Sequence, residues 1–73
     1  MRKEMAECFE EYVEKLPLSY RTVFVLSDLE ELTNNEITKI LGLSLEVVKI
    51  RLHRGRSKLL RELRTHCKAE DWL

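Results

Sequence analysis

The sequence predicts an all-α domain of four helices, in which the third and fourth form a helix-turn-helix and the fourth is a long C-terminal recognition helix. The 73 residues include two Gly and one Pro, which is too few for a β-rich or disordered chain. Apolar residues recur at helical spacing in four stretches. A chain of this length forms one domain at most, so we expect residues 1–73 to be a single domain.

The first two predicted helices are separated by the proline. The first is predicted from about Arg2 to Leu16, because an apolar face lies opposite a glutamate face, and Pro17 ends it. The second is predicted from about Ser19 to Glu31, with Ser19 as its N-cap. Its buried stripe is expected to contain Val23, Phe24, Leu26 and Leu29, widened by Val25.

The third predicted helix is short and has clear end signals. It runs from about Asn34 to Leu41, because Thr33 and Glu36 have the spacing of a capping box and Gly42 suits a left-handed helix end. Its inward residues are expected to be Ile37, Ile40 and Leu41.

The fourth predicted helix begins after Ser44, a second N-cap, and runs to about Arg64, roughly 30 Å. Its apolar stripe comprises Val48, Leu52, Gly55, Leu59 and Leu63. Two helices joined by a tight turn that contains Gly form a helix-turn-helix pattern, in which the second helix enters the DNA major groove.

Charge is distributed unevenly although the net charge is zero. Residues 1–36 carry 4 basic and 9 acidic side chains, whereas residues 37–68 carry 9 basic and 2 acidic ones. Affinity for a polyanion depends on the local patch, so this distribution favours nucleic-acid binding by the second half.

A helical wheel places a polar face opposite the apolar stripe of the fourth helix. Basic residues flank this face on both sides, as a helix between two phosphate walls requires. Ile50 also points outward, either to contact thymine methyls or as an ordinary exposed apolar residue. The face contains Glu46, Val47, Lys49, Ile50, His53, Arg54, Ser57 and Arg61.

Enzymatic and metal chemistry are not expected. The candidate nucleophiles and ligands are His53, His66, Cys8 and Cys67, and the cysteines lie near opposite ends of the chain. This spacing predicts neither a disulfide nor a metal site, and we expect no cofactor and a reducing cytoplasm. No apolar run approaches the roughly 18 residues of a membrane span.

Residues 16–60 resemble region 4 of the sigma-70 family of RNA polymerase sigma factors, especially the extracytoplasmic-function (ECF) type. The most diagnostic run is Arg51-Leu52-His53-Arg54, followed by Arg56 and Lys58-Leu59. Further matches are Leu16-Pro17, Arg21, Val23-Phe24, Glu36-Ile37, Leu41-Gly42, Ser44 and Val48-Lys49.

The resemblance implies a role in transcription initiation. It implies binding to the −35 promoter element and docking on the β-subunit flap of RNA polymerase, with an anti-sigma factor as a possible further partner. The residues implied to face DNA bases are Lys49, Ile50, His53 and Arg54. Those implied to contact the DNA backbone or orient the helix are Thr33, Ser44, Arg51, Arg56 and Lys58.

The chain departs from the family pattern at several positions. Glu31 stands where the family commonly has Gly, and a left-handed conformation there would cost about 1 kcal/mol more with Glu than with Gly. Thr38 replaces a usual Ala at a helix crossing. No stretch resembles region 2, which reads the −10 element, so we expect a C-terminal fragment of a longer chain.

Two alternatives remain open from the sequence. A LuxR-type response-regulator output domain shares the four-helix plan and would dimerise through the last helix, where Leu60 and Leu63 are available. A protein-interaction module that never binds DNA would use the acidic first helix instead.

Overall fold

The computed structural model describes residues 3–67, with side chains from residue 7 onward. Those residues form helices and connecting turns and contain no strand. The prediction of a four-helix, all-α domain with a helix-turn-helix is confirmed. The helices are α1 (Lys3–Glu14), α2 (Leu18–Phe24), which continues as a π-helical turn (Val25–Leu29), α3 (Asn34–Leu41) and α4 (Leu45–His66).

Two apolar clusters form the core, and α4 contributes to both. One joins α1, α2 and the C-terminal half of α4 through Val13, Leu16, Phe24, Leu59, Leu63 and Cys67. The other joins α2, α3 and the N-terminal half of α4 through Val23, Ile37, Val48 and Leu52. The whole stripe predicted for α4 is therefore buried, and its opposite face is left to solvent.

Gly55 lies where α2 packs most closely on α4. A Cβ atom at this position would lie 3.2 Å from Cβ of Tyr20 and 3.6 Å from the Tyr20 carbonyl oxygen. Real Cβ atoms rarely come so near, so the absence of a side chain at Gly55 sets the helix separation. This contact fixes the direction of α4 relative to α2.

Local hydrogen bonds fix the ends of α3 as predicted. The Thr33 hydroxyl accepts from the Glu36 N–H (3.1 Å), and the Thr33 N–H donates to Glu36 Oε1 (2.8 Å). Gly42 has a φ of 69° and donates its N–H to the Thr38 carbonyl (2.8 Å). The Ser44 hydroxyl accepts from the Val47 N–H (3.2 Å) at the start of α4. The turn between α3 and α4 is thus specified by adjacent residues.

The predicted N-cap of the second helix is wrong. Pro17 occupies the N-cap position, and its carbonyl accepts from the N–H groups of Tyr20 (3.0 Å) and Arg21 (2.8 Å). Ser19 lies inside the helix and caps nothing. A proline with fixed φ can begin a helix without a capping side chain.

Two residues predicted to be buried are exposed. Leu29 is 52% exposed, because the helix widens after Phe24 and the Glu30 N–H donates to the Val25 carbonyl (2.9 Å), five residues back. This wider turn moves Leu29 off the 3.6-residue period. Ile40 is 59% exposed, because the short α3 packs through Ile37 and leaves its flank in solvent.

The prediction that the cysteines stay unpaired is wrong. Cys8 and Cys67 form a disulfide, with Cα atoms 5.9 Å apart. The N-terminal half of α1 lies against the end of α4, where the Tyr12 ring also stacks on the His66 ring. Packing therefore brings together residues that are 59 positions apart in the sequence. From the sequence we also expect Trp72 to fold back onto the surface of the first and fourth helices; this residue lies outside the part of the chain that the structure describes.

Glu31 adopts the left-handed conformation, with a φ of 60°. We expect Glu31→Gly to raise the free energy of unfolding by about 1 kcal/mol, because Gly carries no steric penalty there. Urea unfolding of the variant and of the unchanged chain measures this difference in the free energy of unfolding. The matched control is Glu30→Gly, whose φ of −92° gives Gly no such advantage. Equal effects of the two substitutions would contradict the assigned strain.

Candidate nucleic-acid interface

The four residues implied to face bases lie on one exposed surface of α4. Lys49, His53 and Arg54 are exposed, and Ile50 is 47% exposed. They face away from both apolar clusters, because the buried stripe of α4 occupies the opposite side. We call these four residues the reading face. Its hydrogen-bond donors and one branched apolar side chain match the chemistry of base edges in a major groove.

A basic cleft adjoins the reading face. It has a volume of about 390 Å³ and lies between α4 and the start of α2. His53 and Arg54 belong to both features, so the cleft continues the reading face toward α2. Two arginines and one lysine in one wall suit an anion such as a phosphate group. The lining residues are Tyr20, His53, Arg54, Ser57, Lys58 and Arg61.

Tyr20 was missed by the sequence analysis. It is half-buried and reaches the cleft because α2 crosses α4 at Gly55. No local signal identifies it, since an aromatic residue on an apolar helix is expected to enter the core.

Arg56 is held by a bidentate interaction with Asp28. Its Nε donates to Asp28 Oδ2 (3.0 Å) and its Nη2 to Asp28 Oδ1 (2.5 Å), while Nη2 also donates to Ser27 Oγ (3.2 Å). The hydrogen bond that Arg56 donates to the Asp28 carboxylate raises the pKa of Arg56. Arg56 thus connects α4 to the π-helical turn. Of the two roles that the resemblance implied, DNA-backbone contact and helix orientation, this contact fits the second.

The other four residues implied to contact the DNA backbone or orient the helix fall into two pairs, two helix caps and two basic residues on α4. Thr33 and Ser44 are exposed, and their hydroxyls already serve as helix caps. Arg51 and Lys58 are half-buried, on the flank of α4 opposite Arg56. Lys58 lines the basic cleft, so its ammonium group is available to an anion there.

An apolar groove lies on a different side of α4 from the basic cleft. It has a volume of about 380 Å³ and runs between α1, the π-helical turn and the C-terminal half of α4. Leu29 and Leu60 are 52% and 36% exposed on its walls. The Arg56–Asp28 ion pair lies at its edge. Its lining comprises Phe9, Phe24, Asp28, Leu29, Arg56, Leu59, Leu60 and Leu63.

Within the described residues, no group of three His, Cys, Asp or Glu side chains could hold a metal ion. No helix in that same part is long and apolar enough to cross a membrane.

Comparison with known proteins gives a consistent match. Residues 6–59 match the family model described as "Sigma-70, region 4". The chain is 43% identical over 61 residues to the ECF RNA polymerase sigma factor SigW of Bacillus subtilis, covering 84% of this chain and 33% of that protein.

Two further relatives agree with this match. Identity is 35% over 68 residues to the RNA polymerase sigma factor SigZ of Bacillus subtilis, covering 93% of this chain and 39% of the relative. It is 41% over 54 residues to the ECF RNA polymerase sigma factor SigE of Mycolicibacterium smegmatis, covering 74% and 21%. The chain thus spans about a third of the length of the first two relatives. No solved structure gives a significant match.

Proposed function

This chain belongs to the sigma-70 family as a region 4 domain of the ECF type, and we propose that it binds duplex DNA at the −35 promoter element to direct transcription initiation. In this proposal it is the C-terminal DNA-binding domain of a longer sigma factor and has no enzymatic activity. The observation that carries the proposal is the exposed reading face of α4, presented by a helix-turn-helix whose turn is fixed by Gly42 and Ser44.

The proposed base contacts follow from side-chain chemistry. Arg54 has a forked guanidinium that can donate to O6 and N7 of one guanine, and Lys49 can donate to the same atoms. His53 can donate to a base acceptor or a phosphate. Ile50 can pack on a thymine methyl group, which also accounts for a large apolar side chain on an otherwise polar face.

The proposed backbone contacts lie beside the reading face. Lys58 and Arg61 line the basic cleft and would contact one phosphate strand, with Arg51 on the same flank. Thr33, Ser44 and Arg56 act indirectly in this proposal, because their side chains hold the ends and the direction of the helices.

A second surface is proposed for RNA polymerase. The apolar groove would take an apolar segment of the β-subunit flap, which would cover Leu29 and Leu60. Because the groove and the basic cleft lie on different sides of α4, both partners could bind at once. Binding to promoter DNA and RNA polymerase would put the protein in the cytoplasm. An anti-sigma factor would act by covering either surface.

Selection from a random duplex DNA pool at low salt tests the proposal, followed by binding of the enriched sequence across a salt series. We expect one short non-palindromic motif and a steep, linear fall of log affinity with log salt, since phosphate contacts release counterions. Low salt matters because the isolated domain lacks the effective concentration that tethering to polymerase supplies. A palindromic motif would contradict the proposal in favour of a LuxR-type dimer. No enrichment would favour a module that does not read DNA.

A further inference from the structure

The Cys8–Cys67 bond joins α1 to the end of α4, and both helices line the apolar groove. These are the two cysteines of the chain, so oxidation within one molecule has a single disulfide product. Their Cα separation of 5.9 Å lies within the usual range for disulfides. Cys8 is half-buried, whereas Cys67 is only 7% exposed and belongs to the apolar cluster of α1, α2 and α4.

We propose that Cys8 and Cys67 form a reversible redox site that sets the shape of the apolar groove. A peroxide would oxidise the pair and a small dithiol or dithiol protein would reduce it. In a reducing compartment a disulfide is typically transient or redox-sensing rather than a permanent staple. The reducing compartment and the consequence for polymerase docking rest on the proposed function, whereas the pairing of the two cysteines does not.

Contacts other than the disulfide also hold α1 near the rest of the fold. The Tyr12 ring stacks on the His66 ring, with centroids 5.2 Å apart and planes 5° apart. The Cys67 N–H donates to the Leu63 carbonyl (2.7 Å), which holds Cys67 at the end of α4. At the other end of α1, Arg21 Nη1 donates to the Glu14 carbonyl (2.7 Å). The reduced thiols therefore stay close enough to be reoxidised.

Hydrogen peroxide is the oxidant of the cysteine pair, and a dithiol is its reductant. On oxidation the two thiols give up two protons and two electrons to hydrogen peroxide, which becomes two waters as the S–S bond forms. On reduction a thiolate of the dithiol attacks the more accessible Cys8 sulfur, and Cys67 leaves as a thiolate that takes up a proton. The second thiol of the reductant then displaces Cys8 and closes the reductant's own disulfide.

Phe9 connects the redox site to the groove. It follows Cys8 directly on α1, and its ring lies 6.3 Å from the ring of Phe24, where both line the groove. The disulfide fixes this turn of α1 on the end of α4 and so holds Phe9 in place as a wall. Reduction removes that restraint. A partner that binds the groove must then fix the position of Phe9 and its turn of α1. A preformed groove binds more tightly than one that must be ordered.

Redox titration of the full chain in buffers of reduced and oxidised dithiothreitol is the first part of the test. Maleimide labelling read by mass counts free thiols, and amide hydrogen exchange reports on α1. We expect full interconversion, with peroxide restoring the bond after reduction. The melting temperature should fall by at least about 10 °C on reduction, since the bond closes a long loop. Amides of α1 should exchange faster in the reduced form. Failure of peroxide to restore the bond, or unchanged exchange in α1, would overturn the proposal.

Binding of a synthetic β-flap segment of a bacterial RNA polymerase is the second part. The oxidised chain should bind about fivefold more tightly than the reduced chain, about 1 kcal/mol. Cys8→Ser and Cys67→Ser should each bind as the reduced chain does, with or without dithiothreitol. If either variant fails to fold, the reduced wild type gives the same comparison.

Leu60→Glu separates the two proposals. It places a charge in the groove wall and should abolish flap binding in both redox states, with the thiol titration unchanged. Equal affinity of the two redox states, with binding lost in Leu60→Glu, would overturn the proposed effect of the disulfide on flap binding. The proposal that the flap binds in the apolar groove would then stand. Absence of binding in every form would overturn docking, and the thiol and exchange measurements would then decide the redox site alone.

Discussion

Replacing Ile37 by Ala is expected to lower the free energy of unfolding by about 3 kcal/mol. Ile37 has no exposed surface and belongs to the cluster that joins α2, α3 and α4. Truncation removes its buried methyl groups and leaves a cavity that the short α3 cannot close. Apart from the disulfide, the core of a 73-residue domain supplies only about 3–5 kcal/mol, so this loss removes a large share of what packing contributes. Urea unfolding of the oxidised chain measures the loss.

Ile40→Ala is the matched control for this prediction. Ile40 lies on the same helix, three residues further on, and is 59% exposed. The change in helix propensity is identical, so the difference between the two variants isolates burial. We expect Ile40→Ala to change stability by less than about 0.5 kcal/mol. A loss at Ile40 as large as that at Ile37 would mean that α3 packs through its other face.

Local signals explain why the helix-turn-helix could be predicted from the sequence. Thr33, Glu36, Gly42 and Ser44 each act on residues at most four positions away, and all four behave as their types and spacing indicate. The α4 stripe is equally regular, because one long helix without Pro keeps the 3.6-residue period throughout. These features also identify the exposed side of α4, and hence the reading face, without knowledge of the rest of the fold.

Features that depend on contacts between distant segments could not be predicted in the same way. The Cys8–Cys67 bond and the Arg56–Asp28 pair join residues 59 and 28 positions apart, and nothing in either sequence neighbourhood indicates the partner. Tyr20 enters the basic cleft only because Gly55 lets α2 approach α4. Leu29 was misplaced because a π-helical turn breaks the period that the prediction assumed.

Replacing Arg54 by Ala is expected to remove sequence preference, at a cost of about 1–3 kcal/mol for the enriched motif. The reason is the loss of the proposed bidentate contact to a guanine edge, since such a contact discriminates against other bases. Affinity for unrelated DNA should fall far less. Competition binding with the enriched motif and with duplexes mutated at each position measures the affinity for the motif and for other sequences. The loss of base preference should be confined to one position of the motif.

Two controls separate base reading from charge. Arg64 is exposed on the same helix ten residues later, about 15 Å further along, so Arg64→Ala removes the same charge away from the reading face and should matter little. Lys58→Ala removes a charge from the basic cleft and should weaken all sequences alike, with the salt slope reduced by about one. If Arg54→Ala and Arg64→Ala had equal effects, the groove assignment of Arg54 would be wrong. A sequence-selective loss in Lys58→Ala would instead mean that Lys58 contacts a base, and its assignment to a phosphate would be wrong.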